Sequence, residues 1–228
     1  MAPLTEHKSA YQSADQRAVL LELMGHPAIE EHFFLTGGTA LAVFYLGHRV
    51  SNDIDLFCRQ ELDLAPITFW ISGKWPSFSM PVKQTPQFAS YVIRNVKVDL
   101  VIDPLSNDQT REHYKFENGK SLAIDNIRNI SSNKLCTIVS RIEPKDFIDL
   151  FCLMKNDPAL NWDTVYSDAR NKDAIFDDPP TAAFQIEQGW RQIQADTSLF
   201  PKLTDEIDPQ NLDSFYRHLI NWIYSKAK

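Results

Sequence analysis

Apolar and polar positions change their period along the chain, and the change divides it in two. Residues 15–25 (DQRAVLLELMG) place Val19, Leu20, Leu23 and Met24 at helical spacing before Gly25, which predicts an amphipathic helix. Phe33 to Thr36 is a short apolar run entering Gly37-Gly38, and it predicts a strand. Thr39 to Leu46 is continuously apolar and rich in helix formers up to Gly47. Asp53 to Cys58 (DIDLFC) alternates strictly, so as a strand it puts Asp53, Asp55 and Phe57 on one face and Ile54, Leu56 and Cys58 on the other. Residues 88–94 and 96–102 (FASYVIR, VKVDLVI) are β-rich runs broken only at Asn95, which predicts a tight turn or bulge. A further hairpin is expected from Tyr114 to Phe116 and Ser121 to Ile124, with Asn118-Gly119 supplying the positive φ of the turn.

From Ser131 onwards the period is helical. Leu135, Ile138, Val139 and Ile142 form a stripe with Ser131 or Ser132 as N-cap, and a second helix follows Pro144 with Phe147, Leu150, Phe151 and Met154 inward. Helix starts are also expected near Asn161, after Pro179-Pro180 and at Asp208-Pro209, where Asp caps and Pro takes the first helical position. The last helix should bury Phe215, Leu219, Trp222 and Ile223. No repeat or low-complexity tract interrupts this order. The expected fold class is therefore α/β: a mixed β-sheet core flanked by helices over 1–125, then a helical C-terminal part over 126–228.

Composition narrows the function. The chain has 228 residues and a formal charge of −7, and neither 1–150 (15 basic, 18 acidic) nor 151–228 (8 basic, 12 acidic) is cationic. A protein that coats nucleic acid non-specifically is thereby disfavoured, and any contact with one must be local. Cys58, Cys136 and Cys152 are few, widely spaced and set among apolar residues, which fits reduced thiols rather than a disulfide or zinc framework. The N-terminal stretch MAPLTEHKSAYQSADQR is polar, and the longest apolar run, Leu41 to Leu46, is too short to span a membrane. The expected setting is the cytoplasm, with no membrane partner.

The chemistry-bearing segment is Phe34 to Phe57, FLTGGTALAVFYLGHRVSNDIDLF. A strand enters a Gly-Gly turn, a helix follows, and a second strand presents carboxylates at i and i+2. Glycines let a backbone approach a phosphate closely, and hard carboxylate oxygens suit Mg²⁺. Asp99, inside VKVDLVI, is a third acid that should not face a core unpaired. Placed beside Asp53 and Asp55 it would complete a site for in-line phosphoryl displacement. Each feature alone reads as an ordinary turn or surface strand; the conjunction in this order points to function.

These motifs, GGTAL, GHRVSNDIDLF and VKVDLV, resemble the DNA polymerase β-like nucleotidyltransferase superfamily, and more narrowly the AbiEii/AbiGii toxin family. The resemblance extends through Lys134, Arg141 and KDFID, covering about residues 30–155. It implies that Gly37, Gly38 and Thr39 hold the triphosphate, that Asp53 and Asp55 ligate metal, and that Asp99 binds a second ion and orients or deprotonates the acceptor hydroxyl. By the same resemblance Lys134 reaches the β/γ-phosphates, Asp146 matches a late functional aspartate, and Ser51 occupies a nucleotide-site position of regulatory character. Gly38 stands where the superfamily often has Ser, so a phosphate contact is expected to move to Thr39. The competing structural reading of the later motif is an Arg141–Asp146 or Lys145–Asp149 ion pair tying two helices. Arg49 is assigned no role.

The implied reaction is transfer of a nucleoside monophosphate from an NTP to an acceptor hydroxyl with Mg²⁺ (or Mn²⁺), releasing pyrophosphate. The implied setting is a toxin of a bacterial toxin–antitoxin or phage-defence pair, with a cognate antitoxin and an acceptor that is a tRNA 3′ end, a protein or a small molecule. An antibiotic-type small-molecule nucleotidyltransferase and a non-catalytic nucleotide-binding protein of the same fold are the alternatives. A phosphatase of the Asp-x-Asp-x-Thr type is disfavoured because Phe57 stands at the hydroxyl position.

Overall fold

The alternating segments of the first half pair into one seven-stranded mixed sheet. The computed structural model describes residues 4–107 and 109–227; Met1–Pro3 of the polar N-terminal stretch, Asp108 and Lys228 lie outside the described residues. The chain forms two units, Met1–Asn126 and Ile127–Lys228.

In the first unit the order is α1 (Ala14–Leu23), α2 (Pro27–His32), β1 (Phe34–Thr36), α3 (Gly37–Thr39, continued by π-type turns over Ala40–Leu46), β2 (Ile54–Cys58), α4 (Ala65–Lys74), β3 (Ser79–Thr85), β4 (Phe88–Ile93), β5 (Val96–Ile102), β6 (Glu112–Lys115) and β7 (Ser121–Ile124). The sheet runs β3-β4-β5-β2-β1-β7-β6. β2 lies parallel to β5 and antiparallel to β1, and β1 lies parallel to β7. Registered neighbours across a sheet share a face. Leu35, Leu56, Leu100 and Ala89 therefore form one apolar row, and Ile54, Val98 and Tyr91 another. All seven are buried. This is the face that drives the sheet together.

The β4–β5 turn resolves the expected break at Asn95: Arg94 (φ 49°) and Asn95 (φ 64°) both adopt positive φ, as a two-residue hairpin of the right twist requires. Three elements had no assignment from sequence. α2 has Pro27 in its first turn and is capped by His26 Nδ1, which accepts from the Ala28 amide. α4 is a mainly apolar decapeptide in which only Ile67, Thr68 and Ile71 are buried. β3 is an edge strand, exposed on both faces, so it needs no alternation; Pro81 and Lys83 blunt that edge.

The second unit is helical: α5 (Ile127–Ser140), α6 (Pro144–Asn156), α7 (Trp162–Arg170), α8 (Pro179–Ala195) and α9 (Pro209–Ser225), among the described residues. The Asn161 and Asp208 caps form as expected, accepting from the Thr164 and Gln210 amides. The expected cap at Ser131 or Ser132 does not. α5 starts four residues earlier, and both hydroxyls donate backwards, to the carbonyls of Ile127 and Asn129. Serine satisfies its hydroxyl inside a helix in this way, so its presence does not by itself mark a start. Phe147, Trp190 and Tyr216 stack at the centre of the unit, with centroids 4.6–6.0 Å apart, and Tyr216 Oη donates to the Phe147 carbonyl.

A buried ion cluster joins α5 to α6. Lys134 Nζ lies 2.6 Å from Asp146 Oδ1 and 2.7 Å from Asp149 Oδ2, while Arg141 Nε lies 2.8 Å from Asp146 Oδ2. Lys134 lies on α5 and Arg141 directly follows its last residue, while Asp146 and Asp149 share a face of α6. Both carboxylates are fully buried. Burial pushes the Asp146 carboxyl up, but Lys134 and Arg141 outweigh it and hold the group below its ordinary value. Lys145 pairs with Glu143.

Removing one member of a buried pair strands the other charge. Lys134→Ala should therefore cost about 3–5 kcal/mol in urea unfolding. Lys134→Met combined with Asp149→Leu leaves Asp146 paired with Arg141 and should recover most of that loss. Because the Asp146 pKa is depressed, its contribution is present above about pH 4 and disappears as pH falls through the native value, which acid titration of the melting temperature will show.

Candidate active site

The strand alternation that buries Ile54, Leu56 and Cys58 sends Asp53 and Asp55 to the opposite face of β2. The parallel register then sets Asp55 directly beside Asp99 of β5, at the spacing of adjacent strands, about 5 Å. The same row continues to Thr36 on β1 and Ser90 on β4. A polar row thus crosses four strands on the face away from the apolar rows. Asp99 is buried and fully engaged: Ser90 Oγ donates to Oδ1 (2.6 Å) and Lys97 Nζ to Oδ2 (2.7 Å). Burial lowers the Lys97 pKa, but the bond to Asp99 and the charges of Asp99, Asp53 and Asp55 more than reverse this. Lys97 is the direct counter-ion of Asp99 and stands within the field of Asp53 and Asp55. The sequence carries a signal for this contact, since Lys97 and Asp99 are two apart on one strand and so share a face.

The glycine turn sits against these acids. Gly37 has φ +67°, and a Cβ there would collide with Asp55 Oδ2. A Cβ on Gly38 would collide with the Arg49 guanidinium and come within 3.1 Å of Ser51 Oγ. Gly37 is favoured by its positive φ as well, and a side chain at Gly38 would have to displace Arg49. Arg49, left out on sequence grounds, is buried beside the turn and donates to the Val50 carbonyl (2.8 Å). Thr39 is fully buried: its hydroxyl bonds to the Asp53 carbonyl and lies 2.9 Å from Ser51 Oγ. The Thr39 side chain is thus fully engaged within the protein. Ser51 is buried too, and its amide donates to the Ala10 carbonyl.

Gly37, Gly38, Thr39, Ser51, Asp53, Asp55 and Asp99 are thus gathered within the first unit. Lys134 and Asp146 meet each other in the second, in the cluster described above. Among the described residues no three His, Cys, Asp or Glu side chains stand close enough together to hold an ion as they are. The donor set is nevertheless the hard-oxygen set that Mg²⁺ prefers, and Lys97 already supplies positive charge where such an ion would.

A mixed sheet carrying a glycine turn beside strand-borne aspartates defines the nucleotidyltransferase class. The chain belongs to the family described as nucleotidyl transferase AbiEii toxin, type IV TA system, whose model matches residues 18–217. It is a nucleotidyltransferase of a toxin family. Its fold is similar to that of a candidate nucleotidyltransferase from H. pylori (TM-score 0.55, 19% identity, covering 94% of this chain and 97% of that one). It is also similar to MenT4, a nucleotidyltransferase toxin from Mycobacterium tuberculosis (TM-score 0.54, 12% identity, 91% and 81%). A comparison with curated protein sequences finds no match. No helix among the described residues is long and apolar enough to cross a membrane.

Two glycine substitutions separate backbone strain from damage to the site. Gly37 and Gly119 both have positive φ, but a Cβ on Gly119 meets nothing within 4 Å. Gly37→Ala and Gly119→Ala should each lose about 1–2 kcal/mol of stability. Only Gly37→Ala should also lose the thermal shift produced by NTP with Mg²⁺.

Proposed function

We propose that this chain transfers a nucleoside monophosphate from an NTP to an acceptor hydroxyl, with Mg²⁺ or Mn²⁺, as the toxin of a bacterial toxin–antitoxin or phage-defence pair. The observation that carries the reading is the in-register pairing of Asp55 with Asp99 beside the glycine turn. Asp53 and Asp55 would hold the metal, and Asp99 would be free to join them once Lys97 left its carboxylate. A bound divalent ion supplies charge neutralisation at the reacting phosphate. The backbone of Gly37 and Gly38 approaches the triphosphate, with the Arg49 guanidinium behind it. With Ser90 still donating to its carboxylate and Lys97 displaced, Asp99 would orient the acceptor hydroxyl and take its proton.

The family supports the toxin role and a cognate antitoxin as partner. For the acceptor we favour a tRNA 3′ end or a protein side chain; at a net charge of −7, contact with RNA is confined to a terminus. Cys58, Cys136 and Cys152, none of them in a disulfide among the described residues, support a cytoplasmic setting.

Incubating the protein with each α-labelled NTP, Mg²⁺ and cell extract tests this. Label should appear in RNA or in a protein band. Label confined to small molecules would replace this acceptor class with the antibiotic-type one, and no label in any fraction would overturn the transferase reading. Asp53→Ala and Asp55→Ala should each reduce labelling by about three orders of magnitude, the effect of losing several kcal/mol of transition-state stabilisation, with the circular dichroism spectrum retained.

A further inference from the structure

Asp53 precedes the first paired position of β2, which is Ile54 against Val98. The ladder therefore does not hold the residue whose carboxylate matters. Two side chains bond to its carbonyl, Thr39 from the glycine turn and Gln16 from α1. Gln16 is fully buried, a costly place for a carboxamide unless its donors and acceptor are used. Its Nε2 donates to the Asp53 carbonyl (3.3 Å) and to Thr39 Oγ1 (3.4 Å), and the Thr39 hydroxyl bonds to the same carbonyl. At the other end Oε1 accepts from the Gln12 amide (2.8 Å). Ser13 Oγ caps α1 by accepting from the Gln16 amide (3.2 Å). The segment before α1 is itself tied to the loop leading into Asp53, through the bridge between Tyr11 and Ser51 and the bond from the Ser51 amide to Ala10.

From this geometry we infer that Gln16 is a positioning residue of the transfer site. Its carboxamide fixes the backbone of Asp53 to the glycine turn through Thr39, so that the metal-holding carboxylate and the phosphate-facing amides keep one spacing. The role rests on the nucleotidyl-transfer reading above, but it concerns a residue outside the motifs that carry that reading. Groups that orient a metal ligand from behind commonly change metal affinity or activity by about 10–100-fold when removed.

The test is Mg²⁺ titration of the thermal shift given by ATP, GTP, CTP or UTP, whichever stabilises the wild type most, with kcat and KM for transfer alongside. Gln16→Met keeps the volume but removes both donors. It should raise the Mg²⁺ midpoint about tenfold and lower kcat more than it raises KM. Ser13→Ala removes the helix cap and leaves the Gln16 carboxamide in place; it should lower the melting temperature with the Mg²⁺ midpoint unchanged. Should Gln16→Met not fold, Gln16→Asn, which keeps an amide too short to span both ends, is judged by the same criterion. A wild-type Mg²⁺ midpoint in the folded Gln16 variant, with only the melting temperature reduced, would overturn the positioning role alone. If wild type itself shows no Mg²⁺-dependent response to any NTP, the transfer reading falls and the role of Gln16 falls with it.

Discussion

The structure of the first unit hangs on the parallel pairing of β2 with β5. One face of that pair is a closed apolar surface, with Ile54, Leu56, Val98 and Leu100 all buried. A slip of one residue would turn Asp55 or Asp99 into that surface and expose a leucine, so the hydrophobic face pins the register. The site needs the same register, because it alone brings Asp55 and Asp99 side by side. Core packing and carboxylate placement are two consequences of one strand alignment.

Gathering acids has an electrostatic cost, and the protein offsets it internally. Lys97, from the same strand as Asp99, feels all three carboxylates, and Ser90 donates from the next strand. A flexible ammonium, still about half exposed along its side chain, is well suited to hold acids together and then yield to a stronger cation. The second unit solves a similar problem differently. Lys134 is buried between two buried aspartates, so there the pairing serves folding itself and cannot be loosened cheaply. The later motif thus combines any role in the transfer reaction with a structural one.

Around the acids, small residues and buried hydroxyls do the positioning. At Gly37 and Gly38, Asp55 and Arg49 occupy the space a Cβ would need. Thr39, Ser51 and Gln16 then form a buried polar knot around the Asp53 carbonyl. Each member satisfies the others, which is what allows polar groups to sit in an otherwise apolar interior.

The sequence by itself determined most of the strands, most of the helices and the acids. Strict alternation in DIDLFC can only put Asp53 and Asp55 on the face opposite Ile54 and Leu56, and Asp-Pro or Asn caps mark helix starts through local hydrogen bonds. It missed β3, whose exposed edge imposes no alternation, and it misread Ser131 and Ser132, whose hydroxyls bond back within α5. Period and capping are local, so one chain segment carries them. Only the tertiary structure decided that Asp99 stands beside Asp55, that Arg49 lies against Gly38, and that Gln16 reaches Asp53 from 37 residues away. Those relations depend on strand order and on which buried polar groups find each other in space, and neither is written into any local pattern.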